Sequence, residues 1–283
     1  MSSPYAECVI SLTTKHKKAE AIAPIFKEIL GAHVFESCQD TDLLGTFSGE
    51  IERNKTPKEC AKEKCLWGFS DPSFLYSLAS EGSFGPHPFL PFTSCGEEIL
   101  YFIDKKREFH LVVSEISTST NYLTKEIDSL DTLFEYAKKA QFPSHALILG
   151  HLKQKQNGFL VKGITCFEVL EKAFYDAKKI SANEPLWLQT DMRAHLNPTR
   201  MKSIQELART LALRLKTPCP SCSTPGWGKK KIERGLLCRV CHNETDRIKA
   251  EIFGCQVCSY QEKVYYPSGI HYSEPDTCSF CNP

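Results

Sequence analysis

Over the first 216 positions the apolar residues alternate between a period of two and a helical period, which predicts interleaved strands and helices. Residues 7–14 (ECVISLTT) read as a buried opening strand. Ile22, Ile25, Phe26, Ile29 and Leu30 then recur at helical spacing, with Gly31 as the stop. Pro24 inside that pattern predicts a kink or a late start. Further strands are expected at 33–36, 75–79, 97–104, 108–116, 145–150, 159–164 and 186–190, and helices at 57–69, 128–140, 166–180 and 198–215. In the last helix Asn197 is the expected N-cap, Pro198 the first helical residue, and Met201, Ile204, Leu207, Ala208, Leu211 and Leu215 the apolar stripe. The fold class expected is α/β, a mixed sheet with flanking helices over 1–216. A small zinc-ribbon-like domain is expected over 217–283, with the boundary at Thr217–Pro218.

The tail differs because its pattern is set by cysteine. Cys219/Cys222, Cys238/Cys241, Cys255/Cys258 and Cys278/Cys281 are four Cys-x-x-Cys pairs. Thiolates at i and i+3 on a tight turn supply two of the four ligands of a tetrahedral zinc, so two turns close a site and eight cysteines close two. Such closed sites are structural, leaving no position for water or substrate. Alternating runs on either side of Cys255 and Cys258 suggest a ribbon hairpin. On that ground Cys238, Cys241, Cys255 and Cys258 are paired as one site, and Cys219, Cys222, Cys278 and Cys281 as the other. Sequential pairing, the first four and the last four, stays open. The remaining six cysteines are scattered and read as small packed hydrophobes.

Charge and composition narrow the function classes. Thirty-five basic residues face 34 acidic ones, a net charge of +1, which offers no general attraction to nucleic acid or an anionic membrane. In the tail, eight Lys/Arg meet seven Asp/Glu. Each four-thiolate zinc site adds two negative charges, which works against nucleic acid as a partner there too, and Lys229–Lys231 with Arg234 read as a solvated loop. The N-terminus has no apolar signal core, and no stretch approaches the roughly 18 apolar residues of a membrane helix. A cytoplasmic location with reduced thiols is the expectation.

Four polar segments in the larger domain carry candidate chemistry. The first, from Thr13 to Lys18, lies where a strand turns into a helix; Thr14, His16 and Lys18 could grip a phosphate there, or be a solvated helix start. The second, Asp40 to Arg53 with Glu50, could hold a hard cation such as magnesium, or cap turns. The third, Ser80 to Pro88, reads as a loop after an apolar strand. It offers Glu81, Ser83 and His87, or serves only as a rigid Gly/Pro turn. In the fourth, an extended chain would place Asp191, Arg193 and His195 on one face beside Arg200, for binding or proton transfer, or as an ion-paired strand end.

Taken together, TTKHKK, DTDLLGTFSGEIER, ASEGSFGPHP, TDMRAHLNPTRM and the four cysteine pairs resemble a bacterial family described only as a domain of unknown function. The first 90 residues are also similar to enzymes that cleave inosine- and xanthosine-type triphosphates. Thr14 to Lys18, Gly45-Thr46-Phe47-Ser48-Gly49-Glu50, Ala61-Lys62-Glu63-Lys64-Cys65 and Ala79-Ser80-Glu81-Gly82-Ser83 follow the order of that family's motifs. His16 stands where asparagine is usual, and Glu81 alone replaces a pair of aspartates. The resemblance implies that Lys18 grips phosphates, that Glu50 and Glu81 hold magnesium, and that one carboxylate orients a water. The expected function is thus a magnesium-dependent hydrolase of a phosphorylated, nucleotide-like small molecule. Glu50, Glu81, His87, Asp191 and His195 are its catalytic candidates, and Thr14, His16, Lys18, Ser83, Arg193 and Arg200 its binding candidates. The alternative is a non-enzymatic protein that senses a small ligand and docks a protein partner through the zinc tail.

Overall fold

The computed structural model describes residues 3–37, 39–45, 54–151, 159–180 and 185–283. It is a mixed α/β fold with a C-terminal cysteine module. The first sheet takes β1 (Val9–Thr13), β2 (His33–Ser37), β3 (Tyr76–Pro86), β4 (Ser94–Asp104) and β5 (Phe109–Ser117) in the order β2-β1-β3-β4-β5. β1 is parallel to both neighbours, and β3, β4 and β5 are antiparallel. Its two faces are covered by different helices. Leu12, Leu78, Leu100 and Phe102 pack with Ile22, Phe26 and Leu30 of α1 (Ala19–Leu30), and with Ile204, Leu207 and Leu211 of α5 (Pro198–Lys216). Ala79, Ile99 and Tyr101, out of phase with those by one residue, pack with Ala61 and Cys65 of α2 (Pro57–Trp67).

Local chemistry places these helices. α1 ends at Gly31, whose φ of 68° puts it in the left-handed region glycine tolerates. It starts at Ala19 and runs through Pro24, so the late start expected from Pro24 is not what forms. α2 opens with a capping box between Thr56 and Glu59 and with Pro57 in its first turn. α5 begins as the sequence indicates, with the Asn197 side chain accepting from the Arg200 amide at 3.0 Å.

Between β5 and α5 the chain makes an excursion into a second sheet. β6 (Thr124–Ile127), β9 (Leu186–Thr190), β7 (Leu147–His151) and β8 (Leu160–Ile164) lie in the order β6-β9-β7-β8, all antiparallel. α3 (Leu130–Lys139) and α4 (Phe167–Ile180) share one apolar cluster with it, built on Leu133, Leu147, Leu149, Leu170, Phe174 and Leu188. Entry and exit are clasped where Asn197 Nδ2 donates to Asn121 Oδ1 at 2.8 Å, both side chains buried. β6 has no counterpart in the sequence reading.

The tail is a three-stranded antiparallel sheet of β10 (Gly228–Leu237), β11 (Glu244–Gly254) and β12 (Gln261–Tyr265), with β11 central. The basic run expected in a loop is β10 itself. Lys229 pairs with Glu251 at 2.9 Å across the ladder, and Glu233 with Lys263 at 2.6 Å. Among the described residues no helix is long and apolar enough to cross a membrane.

Candidate functional site

The eight tail cysteines form two tetrads, and their membership corrects both pairings considered from the sequence. Cys219, Cys222, Cys255 and Cys258 make one, and Cys238, Cys241, Cys278 and Cys281 the other. The reason is the length of β11. Its 11 residues, at about 3.4 Å each, span roughly 37 Å and carry the turn at Cys238/Cys241 and the turn at Cys255/Cys258 to opposite ends. Antiparallel β10 pairs Gly228 with Gly254 and Leu237 with Glu244, so the turn at Cys219/Cys222, just before β10, arrives at the Cys255 end. β12 runs back alongside β11, and the chain after it closes the far end with Cys278 and Cys281.

The geometry suits a metal. Sγ separations are 3.7 Å for Cys219–Cys258, 3.5 Å for Cys222–Cys255, 3.9 Å for Cys238–Cys281 and 3.6 Å for Cys241–Cys278. A tetrahedron with metal–sulfur bonds of about 2.3 Å has an edge of about 3.8 Å, whereas a disulfide needs about 2.05 Å. Backbone amides of Val257 and Cys258 donate to Cys255 Sγ at 3.3 and 3.4 Å, and that of Val240 to Cys238 Sγ at 3.5 Å, as expected around thiolates. Each tetrad could therefore hold one metal ion. The first abuts the main body, where Arg214 of α5 donates from Nε to the carbonyl of Gly226 at 3.4 Å.

A second constellation lies at the carboxyl end of β1. α1 and α2 cover opposite faces of the sheet, and the carboxyl ends of strands are the usual ligand position in open α/β sheets. Thr13 pairs with Ala79, the last such pair, so β3 runs on past the end of β1. Lys18, at the start of α1, reaches this free edge. Its Nζ donates to Ser80 Oγ at 3.2 Å and to the Ser80 carbonyl at 3.3 Å. Two buried ion pairs flank it, Lys64 of α2 with Glu81 of β3, and Arg200 of α5 with Glu98 of β4. Arg200 Nε donates to Glu98 Oε1 at 2.6 Å, and Arg200 Nη1 donates to the Met192 carbonyl. Gly82 makes room for this pair, since a Cβ there would lie 2.3 Å from Arg200 Nη2 and 2.8 Å from Glu98 Oε1. Burial, followed by the Arg200 charge, pulls Lys18 down from the usual lysine range to about 7, against the opposing pull of Glu98 and Glu81. Beyond the Arg200–Glu98 pair, Phe84, Gly96, Glu115 and Thr199 line a cavity of about 120 Å³.

The candidates named from sequence are distributed unevenly over this site. Lys18, Glu81 and Arg200 come together, with Thr14 buried in the loop between β1 and α1. Ser83 lies on the Glu81 face of β3, since the segment expected to be a loop is a strand through Pro86. His87 is at the hairpin tip, where its Nδ1 accepts the amides of Phe89 and Leu90 at 3.2 Å each, so it braces the turn and is set apart from the cluster. The shared face expected for Asp191, Arg193 and His195 does not form, because β9 ends at Thr190 and residues 194–196 make a 3-10 turn. Asp191 is fully buried and accepts from Arg193 Nε at 3.0 Å and Nη2 at 2.6 Å, and from the Gly163 amide at 3.1 Å. His195 instead stacks on His16, ring centroids 5.4 Å apart. Burial and the neighbouring Arg193 lower His195 from its ordinary value. Glu50 lies outside the described residues, as do Thr46, Gly49 and Arg53 of the same segment.

Sequence reasoning missed Lys64 and Glu98 and did not single out Ser80. A signal existed for the first two. Lys64 shares a helical face with Ala61, and Glu98 is in phase with Leu100 and Phe102, so each is a charge at a core position.

A family model described as a domain of unknown function (DUF6671) matches residues 64–283. The chain belongs to that family. The DUF6671 span takes in Lys64, Ser80, Glu81, Glu98, Arg200 and both cysteine tetrads, and begins after Thr14 and Lys18. No curated protein matches the chain.

Proposed function

We propose that this protein binds the phosphoryl group of a nucleotide-like small molecule at Lys18 and hydrolyses it, and that its two cysteine tetrads hold structural zinc. The observation that carries the first part is the pairing of buried cations. Lys64 and Arg200 each hold a carboxylate, whereas Lys18, a residue 5% exposed, turns its Nζ to Ser80 and forms no ion pair among the described residues. Among the described residues, protonation of Lys18 would set three cations against two carboxylates beside the carboxyl end of β1, and an arriving anion would favour that protonated form and complete the charge balance. Zinc fits the tetrads because four thiolates at this spacing suit a soft, tetrahedral ion and leave no open position, and reduced thiols suit a compartment such as the cytoplasm. Glu81 and Glu98 do not fit a magnesium site as they stand, since Lys64 and Arg200 hold them. Magnesium enters this reading as the counter-ion of the substrate's phosphates.

Incubation of the purified protein with magnesium and a panel of nucleotides tests it, with released phosphate and pyrophosphate as the readout. Turnover that falls at least tenfold in Lys18→Met supports hydrolysis. An inert wild type, indistinguishable from Glu81→Ala, removes the enzymatic reading. The engagement of both carboxylates favours a second reading, a non-enzymatic protein that binds the same anion and docks a protein through the cysteine module. Its signature is saturable binding of phosphate compounds without turnover, and a co-purifying partner lost when Cys278 and Cys281 become serine.

A further inference from the structure

We propose that Ser80 and Lys18 form a nucleophile–base dyad, in which Ser80 takes the phosphoryl group before water does. The proposal rests on the phosphohydrolase reading and names the attacking atom that reading leaves open. Glu81 and Glu98 are each held by a cation, so neither is poised to activate a water. The hydroxyl of Ser80, by contrast, sits 3.2 Å from Lys18 Nζ, within reach for proton transfer. Both groups are buried, Ser80 at 1% and Lys18 at 5% exposure. They lie on the edge of β3 that β1 no longer covers after Thr13. Burial disfavours the ammonium form and brings Lys18 to about 7, so near neutral pH a sizeable fraction of it is the free amine a base must be. Arg200, which meets Gly82 on the same face of β3 as Ser80, supplies fixed positive charge for the phosphoryl oxygens.

The step balances without an outside oxidant or reductant. A lone pair on Ser80 Oγ forms the oxygen–phosphorus bond, and the bond from phosphorus to the leaving oxygen breaks, its electron pair departing with that oxygen. The hydroxyl proton of Ser80 passes to Lys18 Nζ. Water then attacks the same phosphorus and the Oγ–phosphorus bond breaks. Lys18 returns its proton to Oγ, and the proton lost by the water leaves with the phosphate product.

A fluorophosphonate probe tests this independently of the natural substrate, because attack by Ser80 expels fluoride and leaves a stable adduct that intact-mass and peptide analysis can locate. The full-length wild type is expected to gain one adduct, on Ser80, at a rate that rises with pH through about 7. Ser80→Ala is expected to gain none there, and Lys18→Met to react at least tenfold more slowly while showing a cooperative melt. Acid quenching during nucleotide turnover should reveal phosphoserine at position 80. No adduct on Ser80 of the folded wild type overturns the dyad, whether or not nucleotides are turned over. So does nucleotide turnover by Ser80→Ala at the wild-type rate. An adduct on Ser80 in a protein that turns over no nucleotide keeps the dyad and removes the nucleotide as its substrate.

Discussion

Replacing Cys219 and Cys255 together by serine separates the interleaved arrangement from every other pairing of the four turns. In the structure these two residues belong to one tetrad, so the variant strips two of four thiolates from one site and none from the other. A structural zinc contributes about 10–16 kcal/mol in small domains, and loss of half the ligands removes on the order of 5–8 kcal/mol, some four to six powers of ten in affinity. Titration with a competing chelator, with metal content followed by elemental analysis, should find one zinc per chain held at wild-type affinity and the second absent. Nested or sequential pairing would instead remove one ligand from each site and leave two weakened zincs. The companion variant, Cys219→Ser with Cys238→Ser, touches both tetrads, and neither site should keep wild-type affinity. Two equally weakened zincs in the first variant, or one intact zinc in the second, would refute the inference that β11 holds its two flanking turns roughly 37 Å apart.

Three further outcomes follow from the buried cluster. Lys64→Met leaves Glu81 buried without its cation and should cost about 3–5 kcal/mol in denaturant unfolding, most of it recovered when Glu81 is also made leucine. Gly82→Ala sets a methyl against Arg200 and Glu98 and should lower stability by about 1–3 kcal/mol, seen as a lower melting temperature. Lys18 is held down to about 7, so between that pH and its ordinary value of 10.5 the unfolded chain binds a proton the folded chain does not; stability should therefore rise with pH across that window, and the rise should shrink in Lys18→Met.

The reading of the sequence succeeded where a signal is local. The cap at Asn197 and Pro198, the stop at Gly31 and the four turns of cysteine each depend on a few neighbouring residues, and each stands in the structure. It failed where a local pattern has two continuations. Ser80 to Pro86 has the glycines and proline of a loop, but pairing with Ser94 to Leu100 makes it strand. Asp191 to His195 alternates as a strand would, yet the chain turns there, and Asp191 is satisfied by Arg193 and the Gly163 amide. Lys64 and Glu98 were visible as charges at core positions, but their partners, 17 and 102 positions away, were not.

By itself the sequence determined that the chain is α/β and that its tail is organised by eight cysteines, and it put forward Lys18, Glu81 and Arg200 as candidates. Ligand type and hydrophobic period are properties of short segments, and short segments are what a sequence displays. Which cysteines form one tetrad, and that Lys18 meets Ser80 while Lys64 and Arg200 take the carboxylates, only the tertiary structure decided. Those contacts depend on how far a strand runs before its neighbour stops, as β3 does past Thr13 and β11 does between two pairs of cysteines.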